Sequence, residues 1–363
     1  MRISIANSSR SFNAAADQPL LEAAADAALN LPHSCQSGNC GACKARLVSG
    51  EIHYPNGAPL GLAAAESAEG LILLCQAHAR SDLCIETFEV RPADSARLKR
   101  LPCRIERAVA LSHDVMGLFL RLPIAEDFSF EAGQYIDILL PGGRRRSFSI
   151  ASPPHDARPL ELHIRRIAGG EFSERLFHED MRAALLSIEG PLGTFTYRPH
   201  TGHAPRMLLI GGGTGIAPLL SILRHLIENG IERDMQLYWG VRSESDLYAQ
   251  ATLEQLSRRA AALTATTLTA TSLSAASLSY VPVLSEATPE WRGRRGWVHE
   301  VALEDVKDLE AVDVYAAGPP AMIAAIQREY DSRGSAKTRL YYDSFDPARD
   351  APARQRTNAP TRS

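Results

Sequence analysis

The run Cys35-Gln36-Ser37-Gly38-Asn39-Cys40-Gly41-Ala42-Cys43, with Cys75 after an interval of 31 residues, decides how this chain is read. Three thiols sit in one tight loop and a fourth comes from a distant segment. The pattern Cys-x4-Cys-x2-Cys with a remote fourth cysteine is the ligand spacing of a 2Fe–2S cluster. The loop composition fits that geometry. Gly38 and Gly41 lack a Cβ, so the backbone can turn through positive φ and bring N–H groups toward the sulfurs. Zinc sites usually begin with two cysteines two to four residues apart and repeat that pair, so a triplet with a distant fourth fits zinc poorly. The expected metal ligands are Cys35, Cys40, Cys43 and Cys75, and the expected chemistry is transfer of single electrons. Cys84 and Cys103 lie outside the pattern and are expected as small buried hydrophobes.

Outward from the loop, residues 1–97 read as one block. Ile3 and Ile5 alternate with polar residues, which predicts a short strand, and Ser11-Phe12 predicts its hairpin partner. Gln18–Leu29 is rich in Ala and Leu and reads as a helix, with Pro19 near its first turn. Arg46–His53 and Leu83–Val90 read as later strands. The result is a small mixed sheet crossed by a helix. This block holds ten acidic and seven basic residues, and its net of −3 equals that of the whole chain. The acidity hints at a basic docking partner, although a solvated surface explains it more simply.

The 363 residues suffice for two or three domains. With 45% hydrophobic and 22% charged residues, the composition is that of an ordinary globular protein. No basic field points to nucleic acid or to an anionic membrane. The opening MRISIANSSR lacks the apolar core of a signal peptide. No apolar stretch approaches the ~20 residues needed to span a bilayer. Six cysteines, four of them assigned to a cluster, suggest no disulfide framework, so a reducing cytoplasm is the expected compartment.

Arg91–Arg100 is polar and reads as a linker. Short strand-like segments follow at Cys103–Ala110, Val115–Leu122, Gln134–Leu140, Ser147–Ala151 and Leu160–Arg166, with a turn at Pro141-Gly142-Gly143. Their regular spacing predicts a small antiparallel barrel. From Arg206 the texture changes. Met207–Ile210 leads into Gly211-Gly212-Gly213-Thr214-Gly215-Ile216-Ala217-Pro218 and a helical pattern to about Asn229. Gln236–Trp239, Tyr280–Leu284, Val312–Ala316 and Arg339–Tyr342 supply further strands, and the alternation with helices predicts an open parallel sheet. A glycine-rich turn between strand and helix presents backbone donors beside a helix N-terminus, which suits a pyrophosphate. Pro218 fits the first helical turn. Thr264–Leu278 reads TATTL-TATSL-SAASL, a fivefold spacing that fits neither helix nor strand, and is expected as a surface connection without chemistry. Residues 347–363 are expected to be a disordered tail.

Two further motifs complete the pattern: Arg146-Ser147-Phe148-Ser149 and, about twenty residues later, Gly169-Gly170-Glu171-Phe172-Ser173-Glu174-Arg175-Leu176. With the cysteine loop, they resemble the ferredoxin-NADP reductase superfamily. The closer match is the class with an N-terminal plant-type ferredoxin fused to a flavin and a nicotinamide domain. Reductases of Rieske oxygenases and of soluble diiron monooxygenases belong there, as do CDP-6-deoxyglucoseen reductases. The resemblance spans about residues 1–346. It implies a β-grasp 2Fe–2S ferredoxin domain (α+β) at 1–97, an antiparallel β-barrel that binds FAD at 98–203, and an α/β parallel-sheet domain that binds NAD(P)H at 204–346.

The resemblance also implies roles. Arg146 would grip the flavin pyrophosphate in a bidentate, charge-assisted contact. Phe148, next to Ser147, would stack on the flavin without the hydroxyl contact of the family's usual Tyr. Ser149 would hydrogen-bond flavin N5. Gly170, Glu171, Phe172 and Ser173 would offer N–H groups and a hydroxyl to the pyrophosphate, and His163, Ile164 and Arg165 would flank the cofactor. Gly211, Gly213, Thr214, Gly215 and Pro218 match the family's Gly-x-Gly-Thr-Gly-x-x-Pro. Gly318 and Pro319 match its Cys-Gly-Pro, with Ala317 in place of the cysteine. Arg242 and Asp246 fall where relatives contact the adenosine half. Glu244 is acidic and no second basic residue follows Arg242 closely, which favours NADH over NADPH. Phe345 would cover the flavin face.

The implied function is an NAD(P)H-dependent iron–sulfur flavoprotein reductase. Electrons would pass from NADH through FAD to the 2Fe–2S cluster, and on to an acceptor protein docked near the cluster loop. That acceptor would be a Rieske oxygenase, a diiron hydroxylase or a sugar dehydrase. FAD is preferred to FMN by the domain order. Two alternatives stand beside it: a flavin, quinone or ferric reductase without a dedicated partner, and a non-catalytic redox sensor, which Ala317 permits.

Overall fold

The computed structural model describes the chain except residues 34, 35, 37, 39, 40, 88–90, 93–97, 125, 127, 200–204, 268–276, 336–338 and 346–363, with backbone only at 91, 92 and 264–267. Its strands form three main sheets.

The first sheet has the strand order Ser11–Asn13, Arg2–Ile5, Leu83–Thr87, Lys44–Ser49, Leu71–Leu73. Arg2–Ile5 runs antiparallel to its hairpin partner and parallel to Leu83–Thr87, so the sheet is mixed as expected. The helix Leu20–Asp26 follows Pro19 and lays Leu20, Leu21, Ala23 and Ala24 on the sheet's core. It stops short of the expected Leu29 because Ala28 takes φ +57, and Leu29-Asn30 instead pairs with Arg91-Pro92. The expected strand Arg46–His53 is two strands, Lys44–Ser49 and Ile52–His53. Gly50 divides them at φ +99, where a Cβ would collide with the Asp82 carbonyl. The expected linker is partly ordered, since Lys99 and Arg100 already belong to the next strand; residues 93–97 lie outside the described residues.

The second sheet is antiparallel throughout, in the order Arg145–Ser149, Tyr135–Leu139, Leu185–Leu192, Lys99–Ala110, Val115–Arg121, Leu160–Arg165. A bridge between Ile150 and Leu162 joins its two ends, which closes it into the expected barrel. Alternation along the strands sends Leu118, Leu120, Ile136, Ile138, Leu160, Leu162, Ile164 and Ile188 inward. The intervening residues face out toward the neighbouring domains, and this controls where the site forms. The strand Leu185–Leu192 was not expected, because Gly190-Pro191 interrupts its alternation.

The third sheet has six parallel strands in the order Arg294–Arg295, Ser277–Leu284, Asp234–Val241, Arg206–Gly212, Val312–Gly318, Leu340–Ser344. Helices Ile216–Glu228 and Gln250–Thr267 cover one face, and Val298–Glu304 and Pro320–Ser332 the other. Arg206–Gly212 is the first strand of this sheet and lies between its second and fifth. That reversal of winding is the switch point beside which open α/β sheets bind ligands. The repeat is only partly a connection. Its first four residues continue the helix Gln250–Thr267, and Leu278 is buried in the next strand; 268–276 lie outside the described residues. The expected tail, 347–363, also lies outside them. Among the described residues, no helix is long and apolar enough to cross a membrane.

Candidate functional site

Lys44 and Leu73 are cross-strand partners, so the residues beside them, Cys43 and Cys75, emerge at the same end of one ladder. Both thiols are buried, and Leu74 N donates to the Cys43 carbonyl at 3.1 Å. Cys35 and Cys40 lie outside the described residues. The loop between them and Cys43 turns through positive φ at Gln36, Gly38 and Gly41. It is pinned to its surroundings by Gly61 N donating to Gly38 O and by the Gln76 amide donating to Gln36 O. The Tyr54 hydroxyl accepts from Leu73 N at 3.1 Å. Its pKa is pushed up, first by burial and further by the charges of Cys43 and Cys75, while the Leu73 N–H opposes the shift. A buried thiol at the end of a glycine turn and a second beyond the paired strand Leu71–Leu73 suit thiolate ligation of a 2Fe–2S cluster. Cys103 differs from them: burial alone pushes its thiol up to about 12, so it stays protonated and inert. Cys84 is half-buried.

On the barrel, Ser149 stands opposite Tyr135, Ser147 opposite Asp137 and Arg146 opposite Ile138. Ser147 Oγ donates to Asp137 at 2.6 Å, and Arg146 donates to the Arg145 carbonyl. The Phe148 ring meets Phe172 at 5.9 Å, bringing the two flavin motifs together. Gly170 begins the helix Glu171–His178, and a Cβ there would come within 2.6 Å of Ser173 Oγ. Ser173 Oγ accepts from Ile167 N and returns a bond to the 167 or 170 carbonyl, so it shapes this turn. The leading N–H groups of the helix, from 171 onward, form an anion-binding end. These residues fit a flavin diphosphate.

His163 and Arg165 face the third domain, whereas Ile164 is fully buried in the barrel interior. The Ile164 side chain therefore supports the barrel wall. His163 Nδ1 lies 3.2 Å from the Tyr248 hydroxyl, and its Nε2 lies 3.0 Å from Glu161. Arg165 pairs with Asp114 at 3.2 Å, and its guanidinium lies against Gly213, where a Cβ would sit 3.2 Å from it.

Gly211, the penultimate residue of its strand, is in register with Ala317. Gly213–Gly215 make one tight turn, and Pro218 falls in the first turn of the helix Ile216–Glu228. A Cβ at Gly215 would collide with the Ala317 carbonyl, so the Thr214 turn and the Gly318-Pro319 turn interlock at the switch point. Arg242 is exposed just beyond the strand Asp234–Val241. Asp246 is buried and caps its own turn by accepting from Ser243 N at 2.9 Å. Phe345 N donates to Gly318 O at 2.8 Å. Two residues earlier, the Asp343 carboxylate accepts from Ser149 Oγ at 3.4 Å.

Sequence reasoning missed Asp343, Glu161, Arg224 and Tyr248. Arg224 pairs with Glu161 at 2.6 Å and donates to the Ala151 carbonyl, and Ser221 donates to the Ser152 carbonyl. Burial alone would raise the Glu161 carboxyl, but the hydrogen bond from His163 and the Arg224 charge hold it down to about 2. The available signal was the outward series Glu161-x-His163-x-Arg165 on one barrel strand, three polar side chains on a face that solvent alone does not explain.

Three family descriptions match in order: the 2Fe-2S iron-sulfur cluster binding domain over 3–80, the oxidoreductase FAD-binding domain over 102–197 and the oxidoreductase NAD-binding domain over 209–328. The CDP-6-deoxy-L-threo-D-glycero-4-hexulose-3-dehydrase reductase of Yersinia pestis is 33% identical over 338 residues, 93% of this chain and 96% of that protein. The reductase subunit of an aromatic O-demethylase from an Amycolatopsis species is 34% identical over 91% of this chain and 95% of its own. Among solved structures, an Amycolatopsis cytochrome P450 reductase superposes with TM-score 0.75 at 31% identity, covering 95% of this chain and 99% of that one.

Proposed function

Because this chain belongs to the family of reductases that join 2Fe–2S, FAD-binding and NAD-binding domains in one polypeptide, we propose that it draws electrons from NADH and delivers them singly to a partner enzyme. When bound, FAD supplies the conversion of a two-electron hydride into single electrons, and the cluster carries them onward.

The roles of the chain's own residues follow. Cys35, Cys40, Cys43 and Cys75 hold the cluster. Arg146 and the N–H groups at the start of Glu171–His178 bind the flavin diphosphate, and Phe148 packs beside it. Ser149, oriented by Asp343, hydrogen-bonds the reacting edge, and Phe345 shields it from water. Gly211–Gly215 and Pro218 cradle the nicotinamide cofactor's pyrophosphate beside Gly318-Pro319, and Arg242 meets its adenosine half. NADH is the donor, since Arg242 has Glu244 near it and lacks a second cation for a 2′-phosphate. The partner is an oxygenase, hydroxylase or sugar dehydrase that docks at the cluster loop, in keeping with the dehydrase and demethylase systems named for the relatives. The free thiols Cys84 and Cys103 agree with a reducing cytoplasm.

One observation carries the reading. The flavin-motif Ser149 contacts Asp343 of the third domain, beside Phe345 and the Gly318 turn. Barrel and nicotinamide motifs thus converge on one point. Anaerobic mixing of the cofactor-loaded protein with NADH should bleach the flavin and then the cluster, with NADPH slower by about tenfold or more. A flavin that NADH leaves unbleached would overturn the proposal.

A further inference from the structure

Among the described residues, the cysteine loop and the residues just before it touch the flavin barrel through a compact set of hydrogen bonds. His33 N donates to Thr194 Oγ1 at 3.2 Å, and Thr194 Oγ1 donates back to His33 O at 3.3 Å. Gly193 N donates to His33 Nε2 at 3.3 Å, while His33 Nδ1 lies 2.8 Å from the Leu31 carbonyl. The imidazole is a wedge with both ring nitrogens engaged. Three residues on, the Gln36 amide donates to the Tyr135 hydroxyl at 3.0 Å. Gln36 lies between two cluster ligands in sequence. Tyr135 is the cross-strand partner of Ser149, and paired residues of an antiparallel ladder share one face. The Tyr135 ring also packs on Gly193, where a Cβ would come within 2.8 Å of it.

These facts give Tyr135 two neighbours: the serine at the flavin's reacting edge and the cluster loop. We infer that the His33–Thr194 and Gln36–Tyr135 contacts are the electron-transfer dock, the point at which the cluster loop is held against the flavin site to receive electrons. The inference rests on the reductase reading above. No atom crosses the dock. The hydride of NADH brings two electrons, two single-electron passages discharge them to the acceptor, and the remaining hydrogen leaves as a proton. His33 and Thr194 act as positioning residues. Among the described residues these contacts are polar, and polar interfaces hold domains less firmly than large apolar ones.

The test uses the full-length, cofactor-loaded protein and the variants His33→Ala and Thr194→Val, which lie on opposite sides of the dock. Anaerobic mixing with NADH follows flavin bleaching and cluster reduction separately. Both variants should bleach the flavin within about twofold of the unaltered rate and reduce the cluster about tenfold more slowly. Their cluster absorption and midpoint potential should be unchanged. In His33→Ala, amide exchange at Gly193 should accelerate by about fivefold or more, because its acceptor is gone. Cluster reduction within twofold of the unaltered protein in both variants would overturn the inference. So would slowing accompanied by a shifted cluster potential, which marks damage to the cluster. If NADH fails to bleach the flavin of the unaltered protein, the function itself fails and takes the inference with it.

Discussion

The flavin barrel meets its two neighbours in different ways. Against the nicotinamide domain it presents a partly buried polar network: Glu161 with Arg224, His163 with Tyr248, Ser149 with Asp343, and two barrel carbonyls capped from the helix Ile216–Glu228. Against the cluster domain, among the described residues, it presents Tyr135, Gly193 and Thr194 to His33 and Gln36 of one loop. The chemistry explains the contrast. Hydride transfer needs reacting atoms held near contact distance, and small misplacements are expensive. Electrons tunnel across a gap, and the cluster domain must also meet a separate protein. A firm seam serves the first need and a light one the second.

Four changes would break or sharpen this contrast, and their expected effects run from large to negligible. Cys75→Ser should remove everything beyond the light seam. Electron delivery to a protein acceptor should fall by about a hundredfold or more, while NADH-dependent ferricyanide reduction stays within about twofold, read by parallel steady-state assays. Equal loss of both would refute the order of electron flow. Arg224→Ala attacks the firm seam by leaving Glu161 without its guanidinium, which should cost about 2–3 kcal/mol in chemical denaturation. Its flavin bleaching should slow by about tenfold.

Acid should loosen the same seam. Glu161 is held down to about 2, so it is depressed in the folded state. Its contribution is complete above the ordinary carboxylate value of 4.5 and is lost as pH falls toward about 2. The thermal-stability gap between the unaltered protein and Glu161→Gln should therefore narrow across that window. A gap that is constant with pH would contradict the assignment. The smallest effect should come from deleting residues 268–273 of the repeat, which should leave NADH oxidation within about twofold. The preceding Thr264–Thr267 must stay, since they continue a helix.

Much of this was legible in the sequence, because its motifs are local. The Gly211–Gly215 turn and the strand-like segment Gln134–Leu140 each act within one element, and each found its expected element in the fold. The seams were not legible. Asp343 lies 194 residues from Ser149, and Thr194 lies 161 from His33, so no periodicity or spacing links them. The two-residue period of the strand turns Glu161, His163 and Arg165 outward, but nothing local to it says that a second domain covers them. Ile164 shows the reverse: its neighbours in the motif face out, and the two-residue period of the strand turns its side chain into the core.

The central claim is that the firm seam controls the hydride step and the light seam the electron step. Two-wavelength anaerobic stopped-flow of cofactor-loaded Arg224→Ala with NADH tests it most directly. The account predicts slow flavin bleaching, with cluster reduction following at the flavin's own pace. Flavin bleaching at the unaltered rate with only the cluster delayed would contradict it.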